Sequence, residues 1–441
     1  MAASIFDSPL YAQLFPTGET GRLFSDSAAL RAMLLVEGAL AKAQGQIGII
    51  PEISAAAIHR ASLEIQIDPG AIAKATGQNG VCVPGLVASF CSEMNAPEHA
   101  QYVHWGATSQ DIMDTGLMLR LRQALLLAEA DILTVLKKIA DEAERHADSP
   151  MAARTFNQVA TPTTWGAVLA QWGDPLCDAL DALPALRQGS LWVSLSGASG
   201  TAAALGDTAP HIRRSLSMGL GLIDPERSWH TDRSPMNRIA DWLASITNTL
   251  GALGTTLIGL AGSDNQEVSF ETTGNSSTMP QKKNPIAATA LVALSHQMSC
   301  LRTGMSMAAA HQHQRDGAAW FTEWMLLPQI VLCAAASLQQ AKKLSQTTVP
   351  NITQMKSPLY DQLGLMQAEA LSFALCDLMP RSNAKDVTKD LCTQAMREGR
   401  PLASVANEVY PNISKSVFNP AEQLGQSPNA ARQFAARVRA F

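Results

Sequence analysis

Hydrophobic positions in this chain recur with a helical period over unusually long distances. Within residues 110–147, Leu121, Leu125, Ala128, Ile132, Val135 and Ile139 follow a 4-3-4-3-4 spacing, which draws one apolar stripe along one helix face. The stretch exceeds the usual length of a globular helix, and Gly116 is its only internal weak point. Similar Ala/Leu-rich segments cover 163–187, 234–262, 285–310 and 321–345, with few strand signals between them. The pattern predicts an all-α fold built on a long central helical bundle. Helices this long bury little unless others pack alongside, so it also predicts an oligomer whose subunits share one bundle.

Shorter periods flank the bundle. Ser25 or Asp26 caps a helix that ends near Gly48, Pro51 opens the next, and short helices follow around 69–76 and 84–95. Beyond Thr347, Pro350, Pro358 and Pro380 break the regularity. The expected organisation is a small helical domain over 1–109, the bundle over 110–355 and a second small helical domain over 356–441.

Composition narrows the class. Hydrophobic residues make up 46% of the 441, which fits a folded globular chain rather than a disordered one. A net charge of −5 gives no basic bias toward nucleic acid or an anionic membrane, so any anion must be held by a local cluster. The seven cysteines lie scattered without C-x-x-C spacing, which reads as reduced thiols in a cytoplasmic protein. The N-terminal MAASIFDSPL lacks a basic region followed by an apolar one, so no signal peptide is expected. No uninterrupted apolar run suggests a membrane span.

The chemistry lies in polar connectors between the long segments. GNSSTMPQKKNP (274–285) places Ser276 and Ser277 before Lys282, Lys283, Asn284 and Pro285. Asn is a good N-cap and Pro suits a first helical turn, so a helix starting at Pro285 would aim its positive dipole end into this loop. Hydroxyls, ammoniums and a helix N-terminus together suit a multiply anionic substrate, although a solvated loop with a capped helix behind it has the same composition.

The 102–111 connector ends in Thr108 and Asp111 at capping-box spacing, with Ser109 between them and His104 just before. That arrangement is an ordinary cap or, with its free N–H groups, a carboxylate cradle. In the 153–164 connector, Arg154 is a candidate carboxylate clamp and Thr155 and Gln158 are candidate hydrogen-bonding groups. SLSGASGTAAALG (194–206) has neither the G-K-[ST] of a phosphate loop nor G-x-S-x-G. His311 and His313 stand two apart with no accompanying carboxylate–histidine set, so no metal site is expected. Arg315, just beyond them, is the better candidate for a substrate contact.

Three of these connectors together resemble the fumarase/aspartase superfamily. GNSSTMPQKKNP is similar to its S-S-x-M-P-x-K-x-N signature at Ser276, Ser277, Met279, Pro280, Lys282 and Asn284. WGATSQDIMDT and ARTFNQVATPTTWG are similar to its T-S-x-D and R-T-H-x-Q regions. With EGALAKAQGQIGIIP, the resemblance covers roughly the first three-quarters of the chain. It implies a homotetramer, active sites built from three subunits and no cofactor. It also implies Ser276 as the carbon acid/base, with Lys282 and Asn284 binding a substrate carboxylate. His104, Thr108, Ser109, Arg154, Thr155, Gln158, Ser277, Met279 and Arg315 are then the expected substrate-binding set.

One departure points to a branch of that superfamily. Phe156 stands where most members have the histidine of R-T-H, which helps protonate a leaving amine or oxygen. Such general-acid help is worth about 10²–10⁴-fold, and a carboxylate with a conjugate-acid pKa of about 4 does not need it. The resemblance therefore extends to the lactone-forming branch that acts on 3-carboxy-cis,cis-muconate, a small tricarboxylate. A C–N lyase of the same fold, with His104 as its acid, and a catalytically silent structural homologue are the alternatives.

Overall fold

The computed structural model describes residues 4–271, 274–275, 279, 282–360 and 362–441. The first helices are α1 (Thr20–Leu23), α2 (Asp26–Gln46), α3 (Glu52–Glu64), α4 (Pro69–Asn79), α5 (Val83–Met94) and α6 (Pro97–Ala100). Ser25 caps α2 as expected, its hydroxyl accepting the Ala28 amide at 3.3 Å. The EGALAKAQG run explains how closely α3 packs on α2. A methyl at Gly38 would lie 1.9 Å from Ser62 Oγ, and one at Gly45 would lie 2.4 Å from Ala55 Cβ.

The long segments form α7 (Ser109–Arg145), α8 (Trp165–Ser190), α10 (Ser234–Leu260), α11 (Ile286–Ala308) and α12 (Gly317–Thr347), with the shorter α9 (Ala209–Leu220) before α10. All six stripe positions of α7 are buried. Gly116 is no accident either, because a Cβ there would sit 3.2 Å from Met33 Cγ. The fold is all-α, as the periodicity requires. Helices α10 and α12 are nonetheless long and apolar enough by composition to cross a bilayer, contrary to the sequence expectation. More than half of each apolar window, 56% and 61%, is buried inside the protein, as for the core helices of a bundle.

The region 149–164 departs from expectation. Instead of an irregular loop, it forms the antiparallel hairpin β1 (Pro150–Thr155) and β2 (Gln158–Thr164), and α8 starts only at Trp165. Val159 and the threonines favour a strand. The two-residue turn, Phe156-Asn157, has φ of +50° and +59°, the geometry normally flagged by Asn-Gly or Gly. With Phe in that place the turn signal was invisible. Two smaller pairings join β3 (Val268–Phe270) to β6 (Thr348–Pro350), and β4 (Gly274–Asn275) to β5 (Lys283–Asn284).

The chain divides into two compact units. The first comprises Met1–Asp131, Ala179–Asn248 and Ala293–Gln340; the second comprises Ile132–Asp178, Thr249–Val292 and Ala341–Phe441. The second also holds α13 (Ile352–Tyr360), α14 (Ala368–Leu375), α15 (Arg381–Glu398), α16 (Leu402–Val409) and α17 (Ser427–Arg439). A local core of Leu371, Leu375, Leu391, Leu402 and Val405 holds α14, α15 and α16 together.

Candidate active site

In the first unit the chemistry gathers at the N-terminus of α7. Asp111, in its first turn, is completely buried and carries a dense set of donors. Its Oδ2 accepts the Thr108 amide at 3.1 Å and the Gly197 amide at 3.0 Å. Its Oδ1 accepts the Ser196 amide at 2.9 Å and the Ser194 hydroxyl at 2.8 Å, and faces His230 Nε2 at 2.8 Å. The Thr108 contact is the reciprocal half of a capping box. The others go further: one carboxylate ties the 102–111 and 194–207 connectors to the segment before α10.

Gln110 passes this order on. Its amide donates to Asp114 Oδ2 at 3.2 Å and to the His230 carbonyl at 2.8 Å, while its oxygen accepts Arg315 Nε at 2.8 Å. Arg315 Nη2 in turn donates to Thr108 Oγ1 at 3.4 Å and to the Ala198 carbonyl at 3.2 Å. Arg315 and Thr108, singled out separately from sequence, thus meet in space, with Ser109 half-buried beside them as the first residue of α7.

His104 belongs to the same connector and has a φ of +62°. Its Nδ1 lies 2.7 Å from Oε1 of Glu37, a carboxylate of α2 that is 2% exposed. Burial by itself would lower the His104 pKa, but the Glu37 hydrogen bond and charge, with the charge of Asp111, outweigh it and raise the value above 6.5.

Behind this surface Arg233 is fully buried between two carboxylates. It donates to both oxygens of Asp114, at 2.7 and 3.0 Å, and to both of Glu323, at 2.9 and 2.6 Å. Its guanidinium also lies 5.1 Å from the Trp229 ring centroid. Burial opposes its charge, yet the two carboxylates prevail and hold its pKa above the ordinary arginine value.

In the second unit, Arg154 of β1 meets a carboxylate of the protein itself. Its Nη1 and Nη2 donate to Glu267 at 3.0 and 2.5 Å, and Glu267 is 1% exposed. This fork braces the hairpin whose tip exposes Thr155, Phe156, Asn157 and Gln158, with Phe156 bare to solvent. Lys283 and Asn284 pair with Asn275 and Gly274. Lys282 and Met279 are exposed, and the Lys282 amide donates to the Met279 carbonyl at 3.0 Å. Helix α11 begins at Ile286, with the Pro285 carbonyl accepting the first helical amide, from Thr289, at 3.0 Å. Ser276 and Ser277 lie outside the described residues.

Sequence reasoning missed Glu37, Asp114, His230, Arg233 and Glu267 as parts of this framework. The D-I-M-D spacing of Asp111 and Asp114 was a signal for two carboxylates near one helix start, but their partners lie far along the chain.

The framework combines long helices, polar connectors at a helix N-terminus and clustered cations. A family model described as a lyase matches residues 16–299. The chain belongs to this lyase family, within the fumarase/aspartase superfamily. It is 36% identical over 431 residues to the 3-carboxy-cis,cis-muconate cycloisomerase of Pseudomonas aeruginosa, covering 95% of this chain and 94% of that one. It is 35% identical over 421 residues to the enzyme of the same name from Pseudomonas putida, covering 94% and 99%. Among solved structures, the 3-carboxy-cis,cis-muconate lactonizing enzyme from Pseudomonas putida matches with a TM-score of 0.91 at 32% identity, covering 98% of this chain and 99% of that one.

Proposed function

We propose that this chain is a cycloisomerase that interconverts 3-carboxy-cis,cis-muconate and a carboxymuconolactone. The observation that carries the reading is the near full-length likeness, in sequence and in structure, to enzymes of that name. Phe156 supports it, since a carboxylate that adds or leaves needs no proton from a histidine at that position.

In the forward direction one substrate carboxylate attacks an alkene carbon. A C–O bond forms, the alkene pair shifts to the neighbouring carbon, and that carbon takes the Ser276 hydroxyl proton, which solvent restores. In reverse, Ser276 as alkoxide removes the carbon proton and the C–O bond breaks. Lys282, Asn284 and the N-terminus of α11 stabilise the charge developing on the adjacent carboxyl, and nearby cations make the serine acidic enough to take part. Arg315, Thr108, Ser109 and His104 hold further carboxylates. Arg154 braces the hairpin that presents Thr155 and Gln158, and Ser277 and Met279 complete the loop contacts. No cofactor enters this scheme.

The working form is a cytoplasmic homotetramer with each site shared among three subunits. The bare hairpin tip supports that part of the reading, because a fully exposed Phe on a braced turn is suited to a partner surface. The deciding experiment is an absorbance assay of the purified protein with 3-carboxy-cis,cis-muconate and, separately, adenylosuccinate and argininosuccinate. Loss of the diene absorbance with the first substrate alone is expected. Turnover of a C–N substrate instead, or of none, overturns the reading.

A further inference from the structure

The tricarboxylate of the proposed reaction needs several cationic donors, and this chain is acidic overall, with a net charge of −5. His104 is the one candidate in the set whose charge is conditional. A neutral imidazole whose Nδ1–H points at a carboxylate presents Nε2 as an acceptor, which repels a substrate carboxylate; only the doubly protonated ring presents an Nε2–H donor. What lies behind Nδ1 therefore decides what His104 can bind.

Behind it is Glu37. Its Oε1 stands 2.7 Å from Nδ1, while Oε2 is buried without a hydrogen-bond partner among the described residues. An ionised carboxylate in that position would be costly unless a positive charge stood against it, and among the described residues the imidazolium is the only cation in hydrogen-bond contact. Of the other titratable groups facing the pair, Asp111 of α7 adds negative charge on the His104 side. Cys91 of α5 lies near Glu37, and burial, followed by that carboxylate, raises its thiol pKa.

We propose that Glu37 is a positioning residue that holds His104 as a fixed imidazolium, turning Nε2 into a donor for one substrate carboxylate, so that His104 binds substrate rather than shuttling a proton. The inference rests on the tricarboxylate reading above for its ligand, but not for the charge state of the pair. Its pH signature follows from the sign of the shift. The proton is present below 6.5 and is lost only as pH rises through the higher folded value. KM for the tricarboxylate then rises roughly tenfold per pH unit beyond that point, as for any single required proton, while kcat stays level.

The test pairs an activity readout with one that needs no activity. There are nine histidines, and His104 is identified in the proton–carbon NMR spectrum of the full chain as the resonance missing from His104→Gln. Its midpoint is expected above 6.5 in the unaltered protein. In Glu37→Gln it should fall, because burial then lacks its main opponent. The rise in KM should shift to lower pH with it, by about tenfold in KM at neutral pH, and Glu37→Asp should restore part of both. A His104 midpoint below 6.5 in the unaltered protein overturns the proposal even if Glu37→Gln does not fold. Superimposable KM profiles of the two proteins overturn it as well. Absence of any turnover of carboxymuconate with the expected NMR midpoints overturns the substrate reading and leaves the charged pair standing.

Discussion

Arg233 and Asp114 face each other through two parallel hydrogen bonds, Nη1 to Oδ2 at 2.7 Å and Nη2 to Oδ1 at 3.0 Å, with neither side chain more than 2% exposed. Glu323 closes the other side of the same guanidinium. The group sets two carboxyl groups against one guanidinium away from water, with burial raising the Glu323 pKa, so its stability depends on every partner being present. Asp114 also accepts from Gln110, which holds Arg315. The buried group is thus two hydrogen bonds behind the candidate substrate surface, with Gln110 between them.

Removing the cation should therefore be severe. Arg233→Met leaves two buried carboxylates facing each other and is expected to cost about 3–5 kcal/mol of folding stability. Urea unfolding followed by circular dichroism measures this. A loss below about 1 kcal/mol would mean that the cluster is not the unit described here.

Arg315 tests the surface rather than the frame. Its side chain donates to Gln110, Thr108 and Ala198 from a half-buried position, so Arg315→Gln should leave the fold intact. Losing a charge-assisted contact with a substrate carboxylate should raise KM about tenfold to a hundredfold, on the order of 1.5–3 kcal/mol. Steady-state kinetics on carboxymuconate provide the check, and an unchanged KM removes Arg315 from the binding set.

Ser276→Ala addresses the proton carrier. Lactonisation should fall nearly to background while the far-ultraviolet spectrum and unfolding midpoint stay unchanged. A variant that retains most of its kcat would rule out the serine as acid/base.

Phe156→His addresses the departure from R-T-H. No leaving-group proton is needed, so turnover should stay within a few-fold of the unaltered protein. A drop comparable with that of Ser276→Ala would give the aromatic ring a catalytic role that the scheme lacks. Because the turn holds Phe156 at φ +50° and histidine tolerates that region, the change should not disturb the hairpin.

Much of the architecture was legible before any coordinates. The stripe from Leu121 to Ile139, the Ser25 cap and the Pro51 start all depend on residues within about one helical turn of each other, and each appears where expected. The hairpin was not legible, because its turn uses Phe156 and Asn157 where glycine would have announced the conformation. The connector motifs identified the family for the same local reason, since a run such as GNSSTMPQKKNP keeps its chemistry contiguous.

Which charges meet was another matter. Arg233 reaches Asp114 across 119 positions and Glu323 across 90, and Arg154 reaches Glu267 across 113. Glu37 and His104 are 67 apart. The sequence alone determined the helices, their caps and the family-bearing connectors, because those follow from short-range periodicity and local hydrogen bonding. Only the tertiary structure decided that Arg154 is braced by Glu267, that Arg315 stands at Thr108 and that His104 is backed by a buried carboxylate. Ion pairing under burial depends on distance and exposure in space, and residue order along the chain specifies neither.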